Sequence, residues 1–260
     1  LDVAYVGKVG NDAWGDLGEK WMSDAGADTT FLYRDPSVST GTGLVLLGPD
    51  GSNAIIDGDS SSSALTVDEV TAAIEGMRGS KYFITGFEVP EAIALEGARR
   101  AHALGMKTVL NPSPLPAGKL PPLDFVDYLF VNEVEAASLV GMAKSDLEGL
   151  AKGVLQATSA RNVIVTLGSD GSCALTEEGE FLTIDPVKVE NVVNTAGAGD
   201  GFMAATVANL VWGKTLREAM EWASYYSALA VTIDGTIPAY RPLGEVNAFI
   251  KGHQCEKCEE

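Results

Sequence analysis

Short apolar runs separated by helix-length segments recur along nearly all of this 260-residue chain, and that alternation limits the folds open to it. Leu1–Val6, Thr29–Tyr33, Lys81–Thr85, Met106–Leu110, Tyr128–Val131 and Val163–Leu167 read as strands. Ala13–Ala25, Val67–Met77, Pro90–Leu104, Glu133–Val140 and Asp146–Thr158 read as helices. Strands joined by helices run parallel, and a parallel sheet needs both faces covered. The expected fold is therefore α/β, a mainly parallel sheet with helices on both faces, in one domain over residues 1–260. Two hairpins interrupt the rhythm. Pro-Asp-Gly-Ser joins Gly43–Leu47 to Asn53–Asp57, a flap beside the sheet, and Glu-Glu-Gly joins Ser172–Leu175 to Phe181–Ile184. Asn111–Pro122 holds five prolines and is expected to be irregular; Ser60–Ser63 reads as a soluble stretch. Helices over Asp200–Trp212 and Leu216–Thr232 precede a tail helix starting near Gly244.

Charge removes some partners. Lys and Arg total 18 against 36 Asp and Glu, a formal net charge of −18, so no basic stripe is available to neutralise nucleic-acid phosphates or an anionic membrane. Three cysteines are too few for a disulfide scaffold and suit a reducing, cytoplasmic setting, with organellar targeting left open. No apolar run has membrane-spanning length.

In open parallel sheets, ligands gather at the carboxyl ends of strands. Polar and glycine-rich residues cluster at five such expected ends: Thr85–Glu88, Asn111–Ser113, Val131–Glu135, Thr166–Gly171 and Asn194–Asp200. The last is the most informative. In VVNTAGAGDGFMAA, Gly197, Ala198 and Gly199 permit a tight turn from a strand end into a helix N-terminus. Successive N–H groups and the helix dipole there favour an anion, above all a phosphate. Asp200 at its edge reads as a proton acceptor or as an N-terminal cap.

The motifs NTAGAGDGF (Asn194–Phe202), NEVEA (Asn132–Ala136), VTLGSDG (Val165–Gly171) and NPSP (Asn111–Pro114) resemble those of the ribokinase-like, or PfkB, family of sugar kinases. The resemblance runs from Leu1 to about Ile250. Gly51, Asn53 and Ile55 in the first hairpin, with Thr85–Glu88, look closest to the ribokinases; fructokinases and nucleoside kinases are the alternatives within the family. The resemblance implies transfer of the γ-phosphate of ATP to a primary sugar hydroxyl, with Mg²⁺ at the phosphates. Asp200 would take the hydroxyl proton, held ionised by the helix dipole, and the Gly197–Gly199 turn would form the anion hole through the amides of Ala198 and Gly199. Asn132 and Glu135 would organise Mg²⁺ and its waters, or else form a capping box. Thr166, Gly168, Gly171 and Ser224 would border the nucleotide, and Glu88 would accept sugar hydroxyls. A potassium ion would sit on Asn194 and the carbonyls of Ala196, Ala230, Ile233 and Gly235.

Two departures from the family pattern stand out. Asn194 replaces the usual Asp, removing one negative charge from the cation site. No Gly-Gly loop with a substrate-binding Asn occurs, and residues around 29–57 supply only part of a lid. The family's first strand and most of its sugar-binding face are thus expected to be absent. That suits a processed or partial form of a longer polypeptide, or else loss of substrate binding in a catalytically silent scaffold. Retention of Asp200 and its whole turn favours an enzyme. Homodimerisation through the lid stays open. Among weaker candidates, His253, Cys255 and Cys258 read as an acidic, frayed tail rather than half a zinc site. His102 reads as a surface residue. Trp212, Trp222, Tyr225 and Tyr226 read as core or subunit contact.

Overall fold

The computed structural model describes residues 1–47, 53–57, 61–141 and 146–256, and these fall into two compact units. Gly51, Ser60 and Cys258 lie outside the described residues, as do the side chains of Asn53, Ile55 and Cys255.

The first unit comprises Leu1–Leu47, Ala54–Leu129 and Thr158–Arg161. It begins with β1 (Ala4–Gly10), α1 (Ala13–Asp24) and β2 (Asp28–Asp35), with β1 and β2 forming a separate two-stranded parallel sheet. Asp12 starts α1 by accepting from Gly15 N–H at 2.9 Å. β3 (Gly43–Leu47) and β4 (Asn53–Asp57) pair as the expected hairpin. α2 (Val67–Gly76) opens with a reciprocal cap between Thr66 and Glu69. It buries Val70, Ala73 and Ile74, spaced for one helical face. Then come β5 (Tyr82–Gly86), α3 (Glu91–Ala103), β6 (Lys107–Asn111) and β7 (Tyr128–Asn132). The core here is Leu65, Val70, Ile74, Ile93, Ala101 and Met106. A fully buried Ile such as Ile74 contributes about 2–3 kcal/mol through area alone.

The Ser-rich stretch is not a solvated loop. Ser61–Ala64 is a 3-10 turn, with Ser61 buried and its Oγ donating to Lys8 O at 2.6 Å. Lys8 is buried as well: its Nζ donates to Ala64 O at 2.7 Å and pairs with Glu69 at 2.9 Å. Polarity misled the sequence reading because these groups satisfy one another.

The second unit holds Phe130–Ala157 and the chain from Asn162. It contains α4 (Glu133–Val140), α5 (Leu147–Thr158), β8 (Asn162–Thr166), β9 (Ser172–Leu175) and β10 (Phe181–Ile184), then α6 (Ala198–Val211), α7 (Leu216–Ala230), α8 (Thr236–Ala239) and α9 (Leu243–Glu256). Leu150, Val154, Ile164, Leu182 and Met220 are fully buried, and α6 packs along α7. The main sheet has the strand order β10-β9-β8-β7-β6-β5. Its β5–β6 and β6–β7 pairs are parallel, while β8–β9 and β9–β10 are antiparallel. No described helix is long and apolar enough to cross a membrane.

Candidate active site

The GAGD turn lies entirely in the second unit. The segment leading into it is irregular rather than a strand end. Val193 and Asn194 N–H both donate to Val231 O, at 2.8 and 3.2 Å, tying it to the end of α7 instead of to a strand. Gly197 caps α6 with φ +78°, in the left-handed region. A Cβ there would lie 2.5 Å from Tyr240 Oη and 2.7 Å from Thr236 Cγ2, so glycine is demanded by conformation and by space.

Asp200 is the third residue of α6, and no side chain caps this helix. The capping alternative for Asp200 therefore falls. Among the described residues its carboxylate makes no hydrogen bond. It reaches solvent, yet enough protein surrounds it that desolvation pushes its pKa up. That reverses the expectation that the helix dipole would dominate. A raised pKa still suits a base, since proton affinity rises toward the operating pH. The neighbouring Tyr240 phenol is pushed up to about 12, by burial first and then by the charge of Asp200.

The amides of the turn divide differently from the expectation. Ala198 N–H donates to Thr195 O at 3.2 Å, which closes the turn and removes it as a donor to ligand. Gly201 N–H bonds Gly197 O at 2.9 Å. Between them, the N–H groups of Gly199 and Asp200 make no hydrogen bond among the described residues. The amides left open to a ligand are thus those of Gly199 and Asp200, one residue later than the expected pair Ala198 and Gly199.

Asn132 and Glu135 form the capping box of α4. Asn132 Oδ1 accepts from Val134 and Glu135 N–H at 3.0 and 2.8 Å, and Glu135 Oε2 accepts from Asn132 N–H at 2.9 Å. Both side chains present hard oxygen donors at a helix N-terminus, the chemistry that suits hydrated Mg²⁺. At the end of β8, Thr166 leads to a turn containing Gly168 and Gly171, both with positive φ. A Cβ on Gly171 would stand 2.2 Å from Ile184 O, so the backbone of β10 occupies that space. Ser224 Oγ donates back to Met220 O at 3.0 Å within α7.

The ties to Val231 bring Asn194 beside the end of α7. Asn194 is buried, and its Oδ1 accepts from Ala196 N–H at 2.9 Å. Ala230 O accepts from Ile233 N–H at 3.1 Å, and Gly235 has φ +83°. Asn194, Ala196, Ala230, Ile233 and Gly235 offer only neutral oxygens, which fit a monovalent ion in donor type but supply no charge.

In the first unit, Gly86 at the end of β5 pairs with Asn111 at the end of β6, and Phe87 N–H donates to Ser113 O at 3.2 Å. Two expected strand-end clusters are therefore neighbours. Beside them is a cavity of about 300 Å³ lined by Ser63, Phe87, Glu88, Glu91, Pro114 and Pro116, among others. Glu88 is exposed at this cavity.

Of the weaker candidates, His253 belongs to α9, which is helical to Glu256 rather than frayed. Its ring lies 4.1 Å from that of Phe249 and 6.2 Å from that of Tyr225. His102 stands 3.8 Å from buried Asp127. Trp222 stacks on Tyr226 at 6.0 Å, and Tyr226 on Tyr240 at 6.5 Å, while Trp212 is half exposed. Sequence reasoning missed Tyr240 and Ser227, whose hydroxyls bond Gly197 O at 3.1 Å and Ala198 O at 3.0 Å. Nothing local to either residue signals a contact with a turn so distant in sequence.

Comparison with known proteins agrees with this reading of the fold. The pfkB family of carbohydrate kinases matches residues 1–242. A ribokinase of Mus musculus is 29% identical over 243 residues, covering 92% of this chain and 75% of the relative. A deoxyribokinase of Salmonella typhi is 26% identical, covering 95% and 81%. The structure of Arabidopsis thaliana ribokinase complexed with ribose and ATP superposes with a TM-score of 0.84 at 27% identity, covering 96% of this chain and 82% of that one.

Proposed function

Given that the chain belongs to the pfkB family of carbohydrate kinases and is thus an ATP-dependent sugar kinase, we propose that it phosphorylates a primary hydroxyl of a pentose, ribose above all. The observation that carries the mechanism is the Asp200 carboxylate, free of any capping duty and raised in pKa by the desolvation that surrounding protein imposes. It sits beside two amides with no acceptor among the described residues. Such a carboxylate takes the proton of the attacking hydroxyl as oxygen bonds to the γ-phosphorus and the bond to the leaving ADP oxygen breaks. The amides of Gly199 and Asp200 face the charge that grows on the transferred group, where one well-placed donor is worth about 3 kcal/mol of barrier.

Asn132 and Glu135 are the residues that would hold Mg²⁺ and its waters, and the bound ion supplies neutralisation of phosphate charge. Thr166, Gly168, Gly171 and Ser224 border the nucleotide in this reading. Glu88 accepts hydroxyl donors of the sugar, as a carboxylate's two oxygens allow. The relatives support ribose, although the deoxyribokinase differs from the ribokinases in its substrate by one hydroxyl.

The test is ADP release by the purified chain with Mg·ATP and ribose, 2-deoxyribose, fructose or adenosine. Ribose should give the highest kcat/KM, and Asp200→Asn should lower it by about 10²–10⁴-fold. Turnover unchanged in Asp200→Asn would remove the assigned base, and preference for another acceptor would reassign the substrate.

A further inference from the structure

A trans peptide is a rigid plane in which C=O and N–H point in opposite directions. The plane joining Ala198 to Gly199 carries the Ala198 carbonyl on one side and the Gly199 N–H on the other. Ser227 Oγ, from α7, donates to that carbonyl at 3.0 Å. The preceding plane is held likewise, with Tyr240 Oη donating to Gly197 O at 3.1 Å. Its own N–H, on Ala198, is spent on Thr195 O. Two hydroxyls, one from α7 and one from the residue just after α8, thus fasten consecutive planes of the turn, and of these two planes the one held by Ser227 leaves its N–H without an acceptor among the described residues.

We propose that Ser227 is a positioning residue for phosphoryl transfer, aiming the Gly199 N–H and strengthening it as a donor. This rests on the reading of that amide as a donor to the transferred phosphoryl group. A hydrogen bond accepted at a carbonyl polarises the whole amide, so the opposite N–H becomes more positive. The bond also restricts rocking of the plane, and donors fixed before the reaction cost no reorganisation during it. Ser227 itself touches no reacting atom. Its effect falls on the transition state, where the phosphoryl charge is rearranged, more than on bound ATP.

The experiment compares wild type, Ser227→Ala, Ser227→Thr and Asp200→Asn as full chains. Ser227→Ala should lower kcat about 5- to 30-fold, less than the 10²–10³-fold typical of losing an anion-hole donor outright. KM for ATP and for sugar should stay within about twofold. Ser227→Thr, which keeps the hydroxyl, should recover most of kcat. Affinity for ADP with aluminium fluoride, a mimic of the transferred group, should fall in Ser227→Ala while ATP affinity holds. The Gly199 amide resonance in ¹⁵N–¹H spectra of the unliganded protein should also move in Ser227→Ala, a readout independent of turnover. Unchanged kcat and an unmoved Gly199 resonance overturn the inference, as does a Thr variant no better than Ala. Loss of activity in Asp200→Asn alongside an unaffected Ser227→Ala sinks only this inference. Full activity in Asp200→Asn sinks the base assignment on which the wider reading stands.

Discussion

Tyr240 donates its hydroxyl to the carbonyl of Gly197 at 3.1 Å, and the same hydroxyl fills the space a side chain at 197 would need. The cap of α6 is therefore specified from two sides: its φ of +78° and the ring of Tyr240, which stacks on Tyr226. Gly197→Ala should lose about 1–3 kcal/mol of stability, from left-handed strain plus displacement of the tyrosine. Urea unfolding checks this. Turnover should fall with it, because the displaced ring frees the first plane of the turn. A variant as stable as wild type would mean that the cap relaxes without resistance.

The acid limb of the pH–activity profile follows from Asp200. Its pKa is raised by desolvation, and a base works only when deprotonated. Turnover should decline as pH falls through this raised value, so the limb lies above that of an ordinary aspartate. The profile of kcat/KM, which reports the free enzyme, is the measurement. A limb at or below the ordinary aspartate value would show that desolvation does not govern this group.

Asp127 sets a different acid limit, on stability. Burial alone pushes its carboxyl up, but hydrogen bonds from Lys107 Nζ at 2.8 Å and Thr108 N–H at 2.9 Å, with the charges of Lys107 and Arg161, outweigh it and bring the pKa down. A folded pKa below the unfolded one gives stability that is complete above the unfolded value, about 3.9, and is lost as pH drops through the folded one. Asp127→Ala should cost about 1–3 kcal/mol at neutral pH, because it takes this acceptor from the N–H of buried Thr108, while Lys107 and Arg161 keep access to water. Its stability should also decline less steeply at acid pH than wild type. Unfolding free energies across the acid range would decide, and parallel curves would refute the linkage.

The elements were legible because their signals are local. Thr66 with Glu69 and Thr215 with Glu218 spell out helix starts, and both boxes form. Gly43–Leu47, Glu133–Val140 and Phe181–Ile184 end where turn residues say they should. The functional motifs were legible by resemblance, since the GAGD spacing survives in the chain. What the sequence concealed is long-range. Whether Ala198 or Asp200 presents its amide depends on Thr195 closing the turn, and the fate of Asp200 depends on how much protein surrounds it. Buried Lys8 and Ser61 look solvated as residue types, and their mutual satisfaction exists only once β1 meets the 3-10 turn.

Asn194 yields the last prediction. Its amide oxygen already accepts from Ala196 N–H at 2.9 Å, and its side chain is buried, so the segment is stable as a neutral cluster. Potassium should therefore stimulate turnover only weakly. Asn194→Asp keeps the acceptor and adds a negative charge in a place where an unpaired carboxylate is costly. The variant should be less stable than wild type in choline chloride and regain stability as potassium is added, because an ion that binds only the folded state stabilises it by mass action. At contact distance the added attraction is several kcal/mol before dehydration is counted, enough for at least about a tenfold gain in potassium affinity. Melting temperatures titrated with potassium at constant ionic strength separate this binding from catalysis. A variant whose stability ignores potassium would show that Asn194 and the carbonyls of Ala196, Ala230, Ile233 and Gly235 do not hold a cation here.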